Sequence, residues 1–265
     1  MKNLFFDYYM QLDYSIVVSK CNYTIKCVPE SNARQKIENI KIDMFPETAY
    51  AYGRDGLGNC QLYGSNEVDH TTFYYRITGN ATTGLRVYEE AEDDSKSMIF
   101  RHPHGLNMAG EKIRAYFEQI RGELKPHEDV YLNSLILMNR LFCDFSYKQF
   151  VTDTETSAEK AFSLGQGVCQ DYAHIFIALL HLAGIPARYV VGLIMGEGAS
   201  HAWVEILYKG FWYGLDPTNN TLVTSDHIKI GVGRDAKDCM INRGIMHGGG
   251  LHTQKIVVNV KEIET

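Results

Sequence analysis

Gly167-Val168-Cys169-Gln170-Asp171-Tyr172-Ala173-His174 opens a long apolar segment in which, from Ile175 to Leu182, only His181 is polar. A helix with so little polar surface has to be covered on nearly every side, so it reads as the centre of a core. Ala183-Gly184-Ile185-Pro186 ends it, since glycine leaves a helix readily and proline cannot continue one. Beyond that stop the pattern changes to strands at about 187–194 and 201–208. Tyr208-Lys209-Gly210 then turns the chain into Phe211-Trp212-Tyr213-Gly214-Leu215. The spacing predicts an α+β unit, a buried helix packed on an antiparallel sheet.

Three groups with chemistry fall at the ends of these elements. Cys169 stands at the helix start, His201 opens the second strand in Ser200-His201-Ala202-Trp203-Val204-Glu205, and Asp216 closes the next one before Pro217-Thr218-Asn219. A neutral thiol is a weak nucleophile, but the free amides and aligned dipoles of a helix N-terminus favour its thiolate. Gly165 and Gly167 flank that terminus and allow backbone or a substrate carbonyl to approach. An imidazole facing the sulfur stabilises the ion pair and passes the proton to a leaving amine, and a carboxylate on the other ring nitrogen fixes the tautomer. A lone cysteine on an apolar helix is ordinarily core filler, a lone histidine ordinarily structural, and Asp216 alone would be read as capping the turn after it. Together they suit a Cys-His-Asp acyl-transfer site.

The same segments carry a family resemblance. Gly-Val-Cys-Gln-Asp-Tyr-Ala-His, then Ala183-Gly184-Ile185-Pro186-Ala187-Arg188-Tyr189-Val190, then Ser-His-Ala-Trp-Val-Glu and Leu215-Asp216-Pro217-Thr218-Asn219-Asn220, resemble the bacterial branch of the transglutaminase-like superfamily. The resemblance continues into Gly233-Arg234-Asp235 and is strong over roughly residues 145–260. It implies a papain-like fold, with Cys169 as nucleophile, His201 as general base and acid, and Asp216 as orienting carboxylate. The pattern departs from the family at Ala236, where an aromatic is usual, and in Asp238-Cys239-Met240-Ile241, which lacks a customary proline.

Neighbouring residues are assigned lesser roles. The Cys169 amide is the natural first oxyanion donor, with Tyr147 or Gln166 as a second. Trp203 shares a strand face with His201, as a groove wall, a shield over the ion pair or core. Asp171 reads as a buried structural carboxylate near the site, paired with Arg188; His174 reads as structural and Glu205 as an anchor.

The first hundred residues have strand character. Cys21, Tyr23, Ile25 and Cys27 alternate with polar residues up to Pro29, Ile40, Ile42 and Met44 repeat the period, and so do Phe73, Tyr75 and Ile77. Asp55-Gly56-Leu57-Gly58-Asn59 reads as a hairpin turn. An acidic run, Glu89-Glu90-Ala91-Glu92-Asp93-Asp94, and His102-Pro103-His104-Gly105 mark a boundary. The expected division is a β-rich N-terminal region, residues 1–100, and a catalytic domain, residues 101–265. Two helices begin the latter, one with Ile113, Tyr116, Phe117 and Ile120 on its apolar face, the other with Leu132, Leu135, Ile136, Asn139 and Phe142; Gly122 and Pro126 separate them.

The whole chain has 265 residues, 45% hydrophobic and 22% charged, with a formal net charge of -6, which gives no electrostatic reason to expect nucleic acid or an anionic membrane. Six cysteines include no Cys-x-x-Cys pair, against a zinc ribbon or dithiol redox site. The pairs His102/His104 and His247/His252 show no regular ligand spacing, and Gly248-Gly249-Gly250 reads as a mobile loop, since it lacks the lysine and hydroxyl of a phosphate loop. No apolar run is long enough to span a bilayer, and a reducing cytoplasm is the expected setting. The reading is acyl transfer on a peptide or protein amide through a thioester, without cofactor or metal and with hydrolysis preferred over protein-glutamine transglutamination. A non-catalytic peptide-binding domain is the alternative.

Overall fold

The computed structural model describes residues 1–91, 97–126 and 129–264. Its strands are β1 (Lys2–Ile25), β2 (Gln35–Phe45), β3 (Tyr50–Arg54), β4 (Cys60–Asn66), β5 (His70–Thr83), β6 (Tyr88–Glu90), β7 (Ser146–Tyr147) and β8 (Gln166–Gly167), then β9 (Ala187–Ile194), β10 (Gly196–Gly198), β11 (His201–Tyr208), β12 (Phe211–Asp216), β13 (Thr221–Leu222), β14 (His227–Gly233), β15 (Asn242–Gly248) and β16 (His252–Glu262). The α-helices are α1 (Glu111–Ile120), α2 (Val130–Asp144), α3 (Ala158–Leu164) and α4 (Cys169–Leu182).

The helix expected to be central is so. Ten consecutive residues of α4, Asp171 to Leu180, are buried, because α1, α2 and α3 cover one side and β9 and β11 the other. Its end follows the sequence signal: Gly184 takes a φ of +74°, and the Ile185 amide donates to the Leu180 carbonyl at 2.8 Å. The sheet beneath it is antiparallel in the order β13-β12-β11-β9-β14, with β6 added beside β12. β9 and β11 have the predicted bounds. Lys209 and Gly210, at φ +51° and +81°, make the tight turn into β12.

The second sheet is organised by one long strand. β1 runs for 24 residues; its first half lies between β5 and β16 and its second half between β4 and β15. The alternation in Cys21, Tyr23, Ile25 and Cys27 is observed as burial, as is that in Phe73, Tyr75 and Ile77, and β3 and β4 pair around the predicted 55–59 turn.

Four expectations are corrected or bounded. β15 and β16 lie in the catalytic part by sequence yet pair with β1, while β6, from the N-terminal part, pairs with β12; both sheets are built from both ends of the chain. The buried face of α2 is Asn133, Ser134, Leu137, Met138 and Leu141, whereas Leu132, Asn139 and Phe142 are exposed. A helix this rich in apolar residues offers more than one stripe, and contact with α4 selects one. Gly248, Gly249 and Gly250 take φ of +96°, +87° and +61° in the β15–β16 turn, which is hydrogen-bonded to Ser15, Ile16 and Val17. Residues 92–94 of the acidic run lie outside the described residues.

Candidate active site

Cys169 is the first residue of α4, half-buried at the surface end of an otherwise covered helix. The preceding Val168 has no side-chain acceptor to cap the helix, so no N-cap side chain takes the Cys169 or Gln170 amide. Asp171 reaches back instead: its Oδ2 accepts from the Val168 amide at 2.8 Å and from the Thr152 hydroxyl at 2.7 Å. A Cβ on Gly167 would lie 2.5 Å from that oxygen, so this glycine makes room for the cap. Arg188 is not its partner; that guanidinium pairs with Glu205 at 2.6 Å and Glu89 at 3.3 Å. Burial raises the pKa of Asp171, against the two hydrogen bonds.

β9, β11 and β12 bring the other two groups to this end of the helix. His201 opens β11 and its Nε2 lies 2.8 Å from Asp216 Oδ2 at the close of β12. The Cys169 side chain is among the groups that raise the same imidazole, and with Nε2 engaged by Asp216, Nδ1 is the ring nitrogen left for a sulfur. Burial works against a charge on His201. The Asp216 and Cys169 hydrogen bonds and their negative charges outweigh it and raise the ring to about 10.

Asp216 is fully buried without a lysine or arginine partner among the described residues. Its Oδ1 accepts from the Thr218 amide at 3.0 Å and the Asn219 amide at 3.3 Å, its Oδ2 from Asn219 Nδ2 at 2.7 Å. Burial alone would raise such a carboxyl. The two imidazoles that meet it, with Asn219, instead hold it well below the ordinary range, so it stays ionised. The turn-capping role and the orienting position therefore coincide in one side chain.

The second imidazole is His227, which the sequence reading did not single out. It opens β14, is buried, and places Nε2 3.3 Å from Asp216 Oδ2. The only local signal was a histidine at the head of an apolar strand. His201, Asp216 and His227 offer donor atoms within 4.8 Å of one another, a set that their irregular sequence spacing conceals. The histidines weighed from spacing lie elsewhere: His104 faces Asp235 at 3.4 Å and His247 meets Ser19 at 3.1 Å.

Tyr147 and Gln166 stand on the short parallel pair β7–β8, with Tyr147 opposite Gly167 and Gln166 opposite Ser146, next to the start of α4. Tyr147 is exposed and Gln166 half-buried. Trp203 is 1% exposed, which removes it from any open groove wall; its ring stands edge-on to His227 at 5.3 Å. A Cβ at Gly192, on the adjacent β9, would come 2.3 Å from that indole, so the glycine admits it. His174 is buried, accepts from the Ala236 amide at 3.1 Å, and is pushed down to about 4 by burial. Glu205 is held by Arg188, Lys229 and Arg34. Both act in the core.

Residues 114–217 match the core domain of the transglutaminase-like superfamily. The chain is 27% identical to an uncharacterized protein of Mycobacterium leprae over 261 residues, which cover 90% of this chain and 91% of that one. An uncharacterized protein of Mycobacterium tuberculosis is 35% identical over 127 residues, 42% of this chain and 40% of the relative. The crystal structure of a candidate cysteine protease from Cytophaga hutchinsonii shares the fold over the whole chain. Its TM-score is 0.81 at 20% identity, with 100% of this chain and 92% of that one covered. No helix among the described residues is long and apolar enough to cross a membrane.

Proposed function

Because this chain carries a transglutaminase-like core domain, we propose that it is a cysteine-dependent acyl-transfer enzyme acting on peptide or protein amides, with Cys169, His201 and Asp216 as its reacting residues. The observation that supports this reading is the 2.8 Å bond from His201 to the buried Asp216 carboxylate, with helix-initial Cys169 among the groups that raise the His201 ring.

The Cys169 thiolate attacks the amide carbonyl, forming a C–S bond while the carbonyl oxygen takes the negative charge. The free Cys169 amide is placed to bind that oxygen, and Tyr147 or Gln166 is the second donor. Collapse breaks the C–N bond as His201 gives its proton to the departing amine, and a thioester remains. Acylation then removes the thiolate, and with it two of the interactions that raise His201. The ring is thereby able to take a proton from the acceptor, whose attack breaks the C–S bond and restores the thiol pair. Asp216 stays charged throughout and holds the ring.

Water as acceptor makes a protease or amidase, and this is the preferred reading; a primary amine makes a transglutaminase. Neither route calls on an organic cofactor. The test is intact-mass detection of an acyl adduct from a diverse peptide mixture, absent in Cys169→Ala, followed by addition of a primary amine. Release of free acid despite the amine supports hydrolysis, release of the amide supports transamidation, and no adduct on wild type overturns the proposal in favour of a binding domain.

A further inference from the structure

We propose that His227 is a positioning residue for the reacting pair: it holds Asp216 in the place from which that carboxylate orients His201, and the N-terminal sheet holds His227. The inference rests on the acyl-transfer reading of Cys169 and His201.

The hydrogen bonds decide the state of this ring. The Thr224 backbone amide lies 3.3 Å from His227 Nδ1 and can only donate, so Nδ1 is the unprotonated nitrogen. The proton of the neutral ring is then on Nε2, which points at Asp216 Oδ2. That is the oxygen which also receives His201. His227 is thus a fixed donor to the carboxylate, and it needs no charge to be one.

The other restraints on Asp216 do not substitute for it. Thr218 and Asn219 belong to the turn that follows Asp216 and would move with it. His227 comes from a different strand, at the far edge of the sheet order, and so refers the carboxylate to the rest of the protein. Trp203 fills the space against its ring.

The segment around His227 is in turn fastened to the N-terminal sheet. Lys2 pairs with Asp226 at 2.7 Å, the Thr83 hydroxyl donates to the Ser225 carbonyl, and Arg34 donates to the Val223 carbonyl at 3.2 Å. The Gln35 amide clasps the backbone of Lys229 in both directions, each bond 2.8 Å. Residues 2, 34, 35 and 83 therefore grip both flanks of His227. On this reading the β-rich sheet is part of the apparatus that aligns the site.

Alkylation of Cys169 by iodoacetamide across pH, followed by peptide mass on the full chain, tests the inference without a known substrate. The exposed Cys143 serves as the internal reference. In His227→Asn the side chain keeps an acceptor for Thr224 but is too short to reach Asp216; in His227→Gln the amide nitrogen reaches it. The asparagine variant should alkylate about tenfold more slowly near neutrality, the effect of losing one hydrogen bond to a charged group. The glutamine variant should restore the wild-type rate and pH profile, which a loss of general stability would not distinguish. Should the asparagine chain not fold, Gln35→Ala removes both bonds of the clasp two residues away and should slow alkylation about threefold, a small part of the worth of two neutral hydrogen bonds because the effect on His227 is indirect. Wild-type alkylation in the folded asparagine variant, or in Gln35→Ala where the asparagine chain does not fold, overturns the inference, and so does equal slowing in the asparagine and glutamine variants. His201→Ala separates the two ideas: if it too leaves the profile unchanged, the reacting-pair reading itself has failed.

Discussion

Two carboxylates on adjacent strands are held ionised by different kinds of partner. Glu205 on β11 and Asp216 on β12 are both fully buried, and both have their pKa held below the ordinary range against the burial that would raise it. Their partners differ. Glu205 is surrounded by the basic side chains of Lys229, Arg188 and Arg34. Asp216 meets imidazoles and amides, and one of those imidazoles also faces a thiol. A carboxylate held among lysine and arginine side chains, away from the thiol, acts as a structural anchor. One whose counter-charge is a titratable ring makes the charge on that ring depend on what happens at the sulfur.

Breaking each carboxylate should therefore give different losses. Asp216→Asn, measured as turnover per folded molecule of whichever amide the adduct screen identifies, should fall roughly ten-thousandfold. A loss of less than tenfold would mean that Asp216 only caps its turn. Glu205→Gln should do the reverse. It leaves the half-buried Arg188 and Lys229 with only Glu89 to offset them, and should cost about 3 kcal/mol in urea unfolding, the low end for breaking a buried pair. Turnover per folded molecule should be unchanged, and a large drop in it would place Glu205 in the site.

The smallest effect is the most discriminating, because the two centres respond to pH with different signs. Both lowered carboxyls add stability above their ordinary values, 3.8 and 4.5, and lose it as pH falls through their depressed ones. The Asp216 centre contains a raised group. His201 contributes fully below its ordinary 6.5 and loses that contribution as pH rises through about 10. The stability difference between wild type and His201→Ala should shrink over this alkaline window, while that between wild type and Glu205→Gln stays level. Parallel behaviour of the two differences would remove the distinction drawn here.

Much of the site was legible because its residues sit where the chain changes element. Cys169 follows the last glycine before an apolar run, His201 heads one strand and Asp216 ends the next; hydrophobic period and turn chemistry place such positions without knowledge of distant contacts. Partner choice was less legible. Asp171 was assigned to Arg188, but the Val168 amide lies three residues away and is bound to be near, whereas Arg188 is claimed by Glu205 across the β9–β11 ladder. The α2 face was misassigned for a related reason, since its sequence is apolar on several sides and only the neighbouring helix makes one of them interior.

The sequence by itself determined the elements of the core, the helix-initial thiol and the order in which histidine and aspartate would arrive. These depend on local propensity and on the period of apolar residues, which act between near neighbours. Tertiary structure decided that β15 and β16 return to β1, that β6 crosses to β12, and that His227 joins His201 on one carboxylate oxygen. Those outcomes follow from which strand edges and buried donors remain unpaired once the core has formed, and unpaired hydrogen-bonding groups are matched in space, whatever their separation along the chain.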